Sequence, residues 1–187
     1  MAKKKGYTIL QNDPPKGIGI SLDEIGEKCD IITFHTPLTK EGFYATYHLC
    51  DEAFLSRCKK GSFVINAARG GIVDEQALLS AINRRHIGGA IIDCWENEPD
   101  ISSDLLLSPY LLGGSMHIAG YSLAGKWNAT QMCLNAFSRH FGLNTLQARP
   151  ISIQAGDSAS GWLERITTTL KSQPKNFETL RKQYILR

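Results

Sequence analysis

Short, continuously apolar runs separated by capped helices constrain this chain more than any other feature. Ile31–Phe34, residues 62–65 and Gly89–Ile92 carry almost no polar alternation. Runs of this kind are strands buried on both faces, the signature of a parallel sheet covered by helices on each side. The helices between them announce their own starts. Ser21-Leu22-Asp23-Glu24 is a capping box, residues 51–57 read as helical after Cys50, and Asp74 caps a helix over residues 75–84. The expected fold class is therefore α/β.

Weaker elements flank this centre. Residues 7–12 form a β-prone run that stops at Asp13-Pro14-Pro15, residues 18–20 a very short strand, and residues 111–113 a strand just before His117. Residues 122–141 read as one long helix with Gly142 as its stop signal. Residues 143–160 have the Pro, Gly, Ser and Gln content of a linker, and residues 162–170 and 177–186 the spacing of short amphipathic helices.

Composition excludes several classes. The net charge is +3 and no basic run is interleaved with aromatics, which argues against nucleic-acid binding; Lys3-Lys4-Lys5 reads as a solvated end. No apolar run approaches the ~20 residues that cross a bilayer, and no apolar leader follows Met1, so the expectation is a cytoplasmic protein with no membrane partner. The five cysteines are odd in number and lack C-x-x-C spacing, which disfavours a disulfide framework or zinc site. Cys94 reads as a small packed residue rather than a nucleophile.

Three loops carry the chemistry. Ile65-Asn66-Ala67-Ala68-Arg69-Gly70-Gly71-Ile72-Val73-Asp74, Asp93-Cys94-Trp95-Glu96-Asn97-Glu98-Pro99 and His117-Ile118-Ala119-Gly120-Tyr121 each follow an apolar run and place Arg69, Glu98 and His117 beyond a strand's carboxyl end. Ligands of open α/β sheets bind there. A guanidinium holds a carboxylate by two parallel hydrogen bonds, and an imidazole oriented by a carboxylate moves a proton near neutral pH. Each residue also has a plain alternative. Glu96 competes with Glu98, Asp13 could start a turn with Pro14, Asp93 could cap a turn, and Tyr121 could simply pack. His35 reads as structural, and His48, His86 and His140 as surface or helix residues.

The chain contains no G-x-G-x-x-G; Gly17-Ile18-Gly19 is a weak echo placed after Asp13 rather than before it. Asp13 stands where the acidic ribose partner of a dinucleotide domain should be, at the end of a second strand. The fold expected is thus a Rossmann-like doubly wound parallel sheet lacking its first strand and glycine-rich loop, as in an internal piece of a longer protein.

The three loops, with Phe34-His35-Thr36-Pro37-Leu38-Thr39-Lys40-Glu41-Gly42 and Phe177-Glu178-Thr179-Leu180-Arg181-Lys182, resemble the D-isomer-specific 2-hydroxyacid dehydrogenases. The resemblance implies that Arg69 grips the substrate carboxylate, that His117 takes the hydroxyl proton and that Glu98 orients His117. It implies NAD as cofactor, with Asp13 on the ribose and Thr36, Ala67, Ala68, Asp93 and Gly120 along the rest. Tyr121 would contact a substrate phosphate, the substrate being a small phosphorylated 2-hydroxy acid, and the protein would be a homodimer. Residues 1–120 would be a partial NAD-binding domain, 121–142 the returning helix and 143–187 a partial dimerisation segment. Lacking the glycine loop, the chain alone is expected to bind NAD weakly and not to turn over. Another family member's substrate, a non-catalytic NAD-binding interaction module and an inactive fragment are the alternatives.

Overall fold

The computed structural model describes residues 5–121, 123–144, 147 and 159–184. They fall into two compact units, Met1–Gly114 and Ser115–Arg187.

The first unit is built on four parallel strands in sequential order: β3 (Ile31–Phe34), β4 (Phe63–Asn66), β5 (Gly89–Ile92) and β6 (Leu111–Gly114). Helices α1 (Leu22–Lys28), α2 (Glu52–Arg57), α3 (Glu75–Asn83) and α4 (Ser103–Leu107) pack side by side in chain order. Their starts follow local chemistry. Ser21 and Glu24 close the expected capping box on α1, the Asp51 carboxylate accepts from the Phe54 N–H at α2, and Asp74 accepts from Gln76 and Ala77 at α3. Helix α4 falls in a stretch with no helical expectation. The Ser102 hydroxyl caps it by accepting from the Leu105 N–H, and Leu105 and Leu106 drop fully into the core.

The register sorts the sheet into two unlike faces. Ile32, Val64, Ala90 and Leu111 lie in one row, Phe34, Asn66, Ile92 and Gly114 in another, and every one of the side chains in these rows is buried. Phe34 meets Phe54 of α2 edge-on at 6.2 Å, so this is the helix-covered face. The opposite face carries Ile31, Phe63 and Leu112, which are 53%, 37% and 54% exposed. The expectation of cover on both faces is thus corrected: among the described residues of this unit the second face stays open. Its apolar character made the strands read as fully buried.

The expected strand over residues 7–12 is also corrected. Only β1 (Asn12–Asp13) forms, paired antiparallel with β2 (Ile18–Gly19) in a hairpin separate from the parallel sheet. Residues 7–11 have no strand assignment, and Tyr7, Ile9 and Leu10 are exposed. A strand needs a neighbour to satisfy its backbone, and no parallel neighbour of β3 on its outer side exists among the described residues.

The second unit contains α5 (Leu123–Phe141), α6 (Ala159–Ser172) and α7 (Phe177–Tyr184). Gly142, at φ 62°, ends α5 in the left-handed conformation a helix stop requires. Leu170 and Phe177 are fully buried, and Trp162 meets Tyr184 edge-on at 6.1 Å. Most of the expected linker over 143–160, and the last residues of the expected helix over 177–186, lie outside the described residues. No described helix is long and apolar enough to cross a membrane.

Candidate active site

The loops after β4 and β5 leave adjacent strands at the same end of the sheet, and a single buried amide joins them. The Asn66 side-chain N–H₂ donates to the Arg69 carbonyl at 2.9 Å and to the Cys94 carbonyl at 3.0 Å; its oxygen accepts from the Ala68 N–H at 3.3 Å. Asn66 is 2% exposed, so these bonds form away from water, where leaving one unmade is costly. The Asn66 carbonyl also accepts from the Asp93 N–H at 2.9 Å. Gly70 brings the loops closer still. A Cβ at this position would lie 1.9 Å from the Trp95 carbonyl oxygen, so only glycine fits.

Of the residues singled out in the sequence, Ala67, Ala68 and Arg69 lie on the first of these loops and Asp93 and Glu98 on the second. Arg69 is exposed beyond β4 and donates from Nη1 to the Ala68 carbonyl at 2.6 Å. Ala68 is buried and Ala67 half-buried. Glu98 curls back so that one carboxylate oxygen accepts from the Trp95 N–H at 2.7 Å. With Gly70, Gly71, Tyr47, Lys40 and Glu96 it lines an open cleft of about 320 Å³. Asp93 is 5% exposed beneath the loop. Burial, reinforced by the Asp93 carboxylate, pushes the Cys94 thiol up to about 12, which makes it a packed thiol and not a thiolate nucleophile.

Thr36 follows β3, and its hydroxyl is buried without a hydrogen-bond partner among the described residues. A buried hydroxyl of this kind is satisfied by an ordered water or by a polar ligand group. Asp13 sits in the β1–β2 hairpin, half-buried and paired with Lys16 at 2.7 Å, rather than at the end of a strand of the parallel sheet. His117, Gly120 and Tyr121 belong to the second unit. His117 has φ 52° and Gly120 φ 75°, and the Tyr121 N–H closes the turn on the Ile118 carbonyl at 2.8 Å. Tyr121 carries Lys126 Nζ over its ring at 3.9 Å and the Arg181 guanidinium at 5.4 Å. No cluster of metal-ligating side chains occurs among the described residues.

Two residues escaped the sequence reading. Asn66 was visible only as a polar residue ending an apolar strand. His48, read as a surface or helix residue, is in fact half-buried in the loop between β3 and α2. Its Nε2 lies 2.8 Å from a Glu96 carboxylate oxygen and its Nδ1 3.7 Å from Asp74. Glu96 is thereby engaged by His48, and Glu98 accepts from the Trp95 N–H in the same loop. His35 is exposed and bonds the Thr33 hydroxyl at 3.0 Å.

Comparison with known proteins converges on one family. Residues 7–119 match the model of the D-isomer specific 2-hydroxyacid dehydrogenase, NAD binding domain. An erythronate-4-phosphate dehydrogenase of Bacteroides fragilis is 42% identical over 204 residues, covering 100% of this chain and 58% of that protein. The chain thus spans little more than half the length of that curated relative. Among solved structures, the apo D-mandelate dehydrogenase of Rhodotorula graminis is similar with a TM-score of 0.57 at 27% identity, over 72% of this chain and 38% of that one. The D-lactate dehydrogenase of Aquifex aeolicus, solved with NAD and lactic acid, gives a TM-score of 0.53 at 27% identity, over 72% of this chain and 45% of that one. The match over residues 7–119 and the 42% identity across the whole chain lead to one conclusion: the chain belongs to the D-isomer specific 2-hydroxyacid dehydrogenases, through the NAD-binding domain of that family.

Proposed function

We propose that this chain carries the catalytic loops of an NAD-dependent dehydrogenase that oxidises 4-phospho-D-erythronate to its 2-oxo acid, a step toward pyridoxal 5′-phosphate. The observation that carries the reading is the loop pair after β4 and β5, which presents Arg69 and Glu98 from one frame tied by Asn66. The relatives' shared name supports the substrate.

In this reading the Arg69 guanidinium holds the substrate carboxylate and polarises the reacting oxygen. His117 removes the hydroxyl proton, and Glu98 is the carboxylate that fixes its tautomer and basicity. NAD, when bound, accepts the hydride from the carbon that carries the hydroxyl. Thr36, Ala67, Ala68, Asp93 and Gly120 would line its path; the buried Thr36 hydroxyl fits that role because it has a bond to give and no partner among the described residues. Asp13 would hold the ribose hydroxyls once released from Lys16. Tyr121, beneath two cations, contacts the substrate phosphate. Five free cysteines fit a reducing, cytoplasmic setting, and the working form is taken to be a homodimer.

Steady-state NAD reduction tests this in a form that restores the glycine-rich loop, such as this chain fused behind the amino-terminal half of a relative. With 4-phosphoerythronate, R69K and R69A should each lose about 10²-fold or more in kcat/KM, since a point charge does not replace the bidentate fork. Oxidation requires an imidazole that can take the hydroxyl proton, so H117A should abolish the rate. A preference for 3-phosphoglycerate would overturn the substrate. Retained turnover in H117A would overturn the base.

A further inference from the structure

We propose that His48 is a positioning residue: it locks the loop bearing Glu98 to the turn that follows Arg69. The inference rests on the catalytic reading of those two residues.

The clamp is made from both ends of the imidazole. Nε2 holds the Glu96 carboxylate at 2.8 Å, and Nδ1 faces the Asp74 carboxylate at 3.7 Å. Asp74 is also the cap of α3, so one end of the clamp is anchored on a helix terminus. The backbone at His48 is tied to the same turn. Its N–H donates to the Gly71 carbonyl at 2.7 Å, and the next alternate residue continues the ladder, with the Cys50 N–H on the Ile72 carbonyl and the Asp74 N–H on the Cys50 carbonyl, each at 3.0 Å. His48 adopts φ 51°, a left-handed conformation in which the surrounding bonds must hold a non-glycine residue.

Glu96 is gripped from two further directions. Its N–H donates to the buried Glu75 carboxyl at 2.7 Å, and the Tyr47 hydroxyl reaches its carboxylate at 3.4 Å. The Tyr47 ring stacks on the imidazole with centroids 4.0 Å apart and planes 16° from parallel. Glu98 stands two residues beyond Glu96 and is folded onto the Trp95 N–H. Residues 95–98 therefore cannot shift against the Gly70–Gly71 wall of the cleft without breaking the His48–Glu96 bond. Displacements of about 1 Å at a catalytic group cost on the order of 10²-fold in rate, so a tie at this point governs turnover without touching substrate.

The test uses H48A, H48N and H48Q, each measured for Tm in the full chain and for kcat and KM toward NAD and hydroxy acid in the same fusion that restores the glycine-rich loop. Gln places an N–H donor near the position of Nε2; Asn does not reach Glu96. The expected result is a fall in kcat of about 10- to 100-fold in H48A and H48N, KM for NAD within about twofold, and recovery by H48Q to within about threefold of wild type. The double variant H48A/E96A should be no worse than the poorer single variant. Amide hydrogen exchange adds a readout that needs no turnover: the Trp95 and Glu96 N–H groups should exchange faster in H48A and at the wild-type rate in H48Q. Wild-type kcat in H48A, equal losses in H48Q and H48A, or unchanged exchange would each overturn the proposal. Should the wild-type chain be inactive by itself, as expected without the glycine loop, the exchange experiment decides the clamp: faster exchange in H48A with wild-type exchange in H48Q upholds it, and unchanged exchange overturns it.

Discussion

Glu75 is an acid placed where water barely reaches it. It is 6% exposed, and burial raises its carboxyl to about 7, with the Glu96, Glu98 and Asp74 carboxylates adding to the rise and the Glu96 N–H opposing it. The sign follows from linkage. A carboxyl whose pKa is higher in the native than in the unfolded chain favours folding while it is protonated, below about 4.5, and that contribution is lost as pH climbs through about 7. A shift of this size is worth roughly 3 kcal/mol. E75Q keeps an oxygen for the Glu96 N–H but cannot ionise. Thermal melts should therefore show E75Q gaining on wild type between pH 5 and pH 8, and a constant difference across that range would refute the assignment. At this scale the sequence was legible where a residue acts on its neighbours: Ser21 and Asp74 cap helices that begin one residue later, whereas Asp51, read as the first helical residue, is itself a cap. It was mute on Asn66 and His48, whose partners lie 28 and 48 residues away. Only the fold supplies those partners.

Between elements, the decisive fact is how closely the β4 and β5 loops approach. G70A is expected to reduce kcat by about 10²-fold or more, because its Cβ would strike the Trp95 carbonyl, a backbone atom that moves only with its whole loop. Far-UV circular dichroism of this variant should remain native, since the strands and helices are capped independently of the contact. A normal rate would mean that the loops separate without consequence. The three central strands and most of their helices were readable from apolar runs and caps. Helix α4 was not, because five residues between Pro99 and Pro109 span too few turns to display a period. The strand expected over residues 7–12 failed for a different reason. A β-prone sequence becomes a strand only beside a partner, and propensity does not report whether one is present.

For the molecule as a whole, the uneven sheet decides behaviour in water. Ile31, Phe63 and Leu112 present apolar surface on the open face, beside the edge of β3 that no described strand pairs. Contiguous exposed apolar patches mark interaction or aggregation surfaces. The triple variant I31T/F63T/L112T should bind less of a hydrophobic dye and scatter less light at equal concentration, with its secondary structure intact. If it unfolds instead, the face is part of the core and the open reading is wrong. The sequence could not separate the two faces, because the exposed rows are as apolar as the buried ones. The alternation that would reveal a solvated face is missing.

The fit of Gly70 against the Trp95 carbonyl has an engineering consequence. The two loops share one seam, so they behave as a single module in recombination. Grafting residues 67–74 from a homologue with different specificity, while keeping residues 93–98 in place, would mismatch surfaces that touch without slack. A productive chimera would have to carry both segments and Asn66 together, and the natural unit of exchange at this site is a pair of loops with their shared fastener.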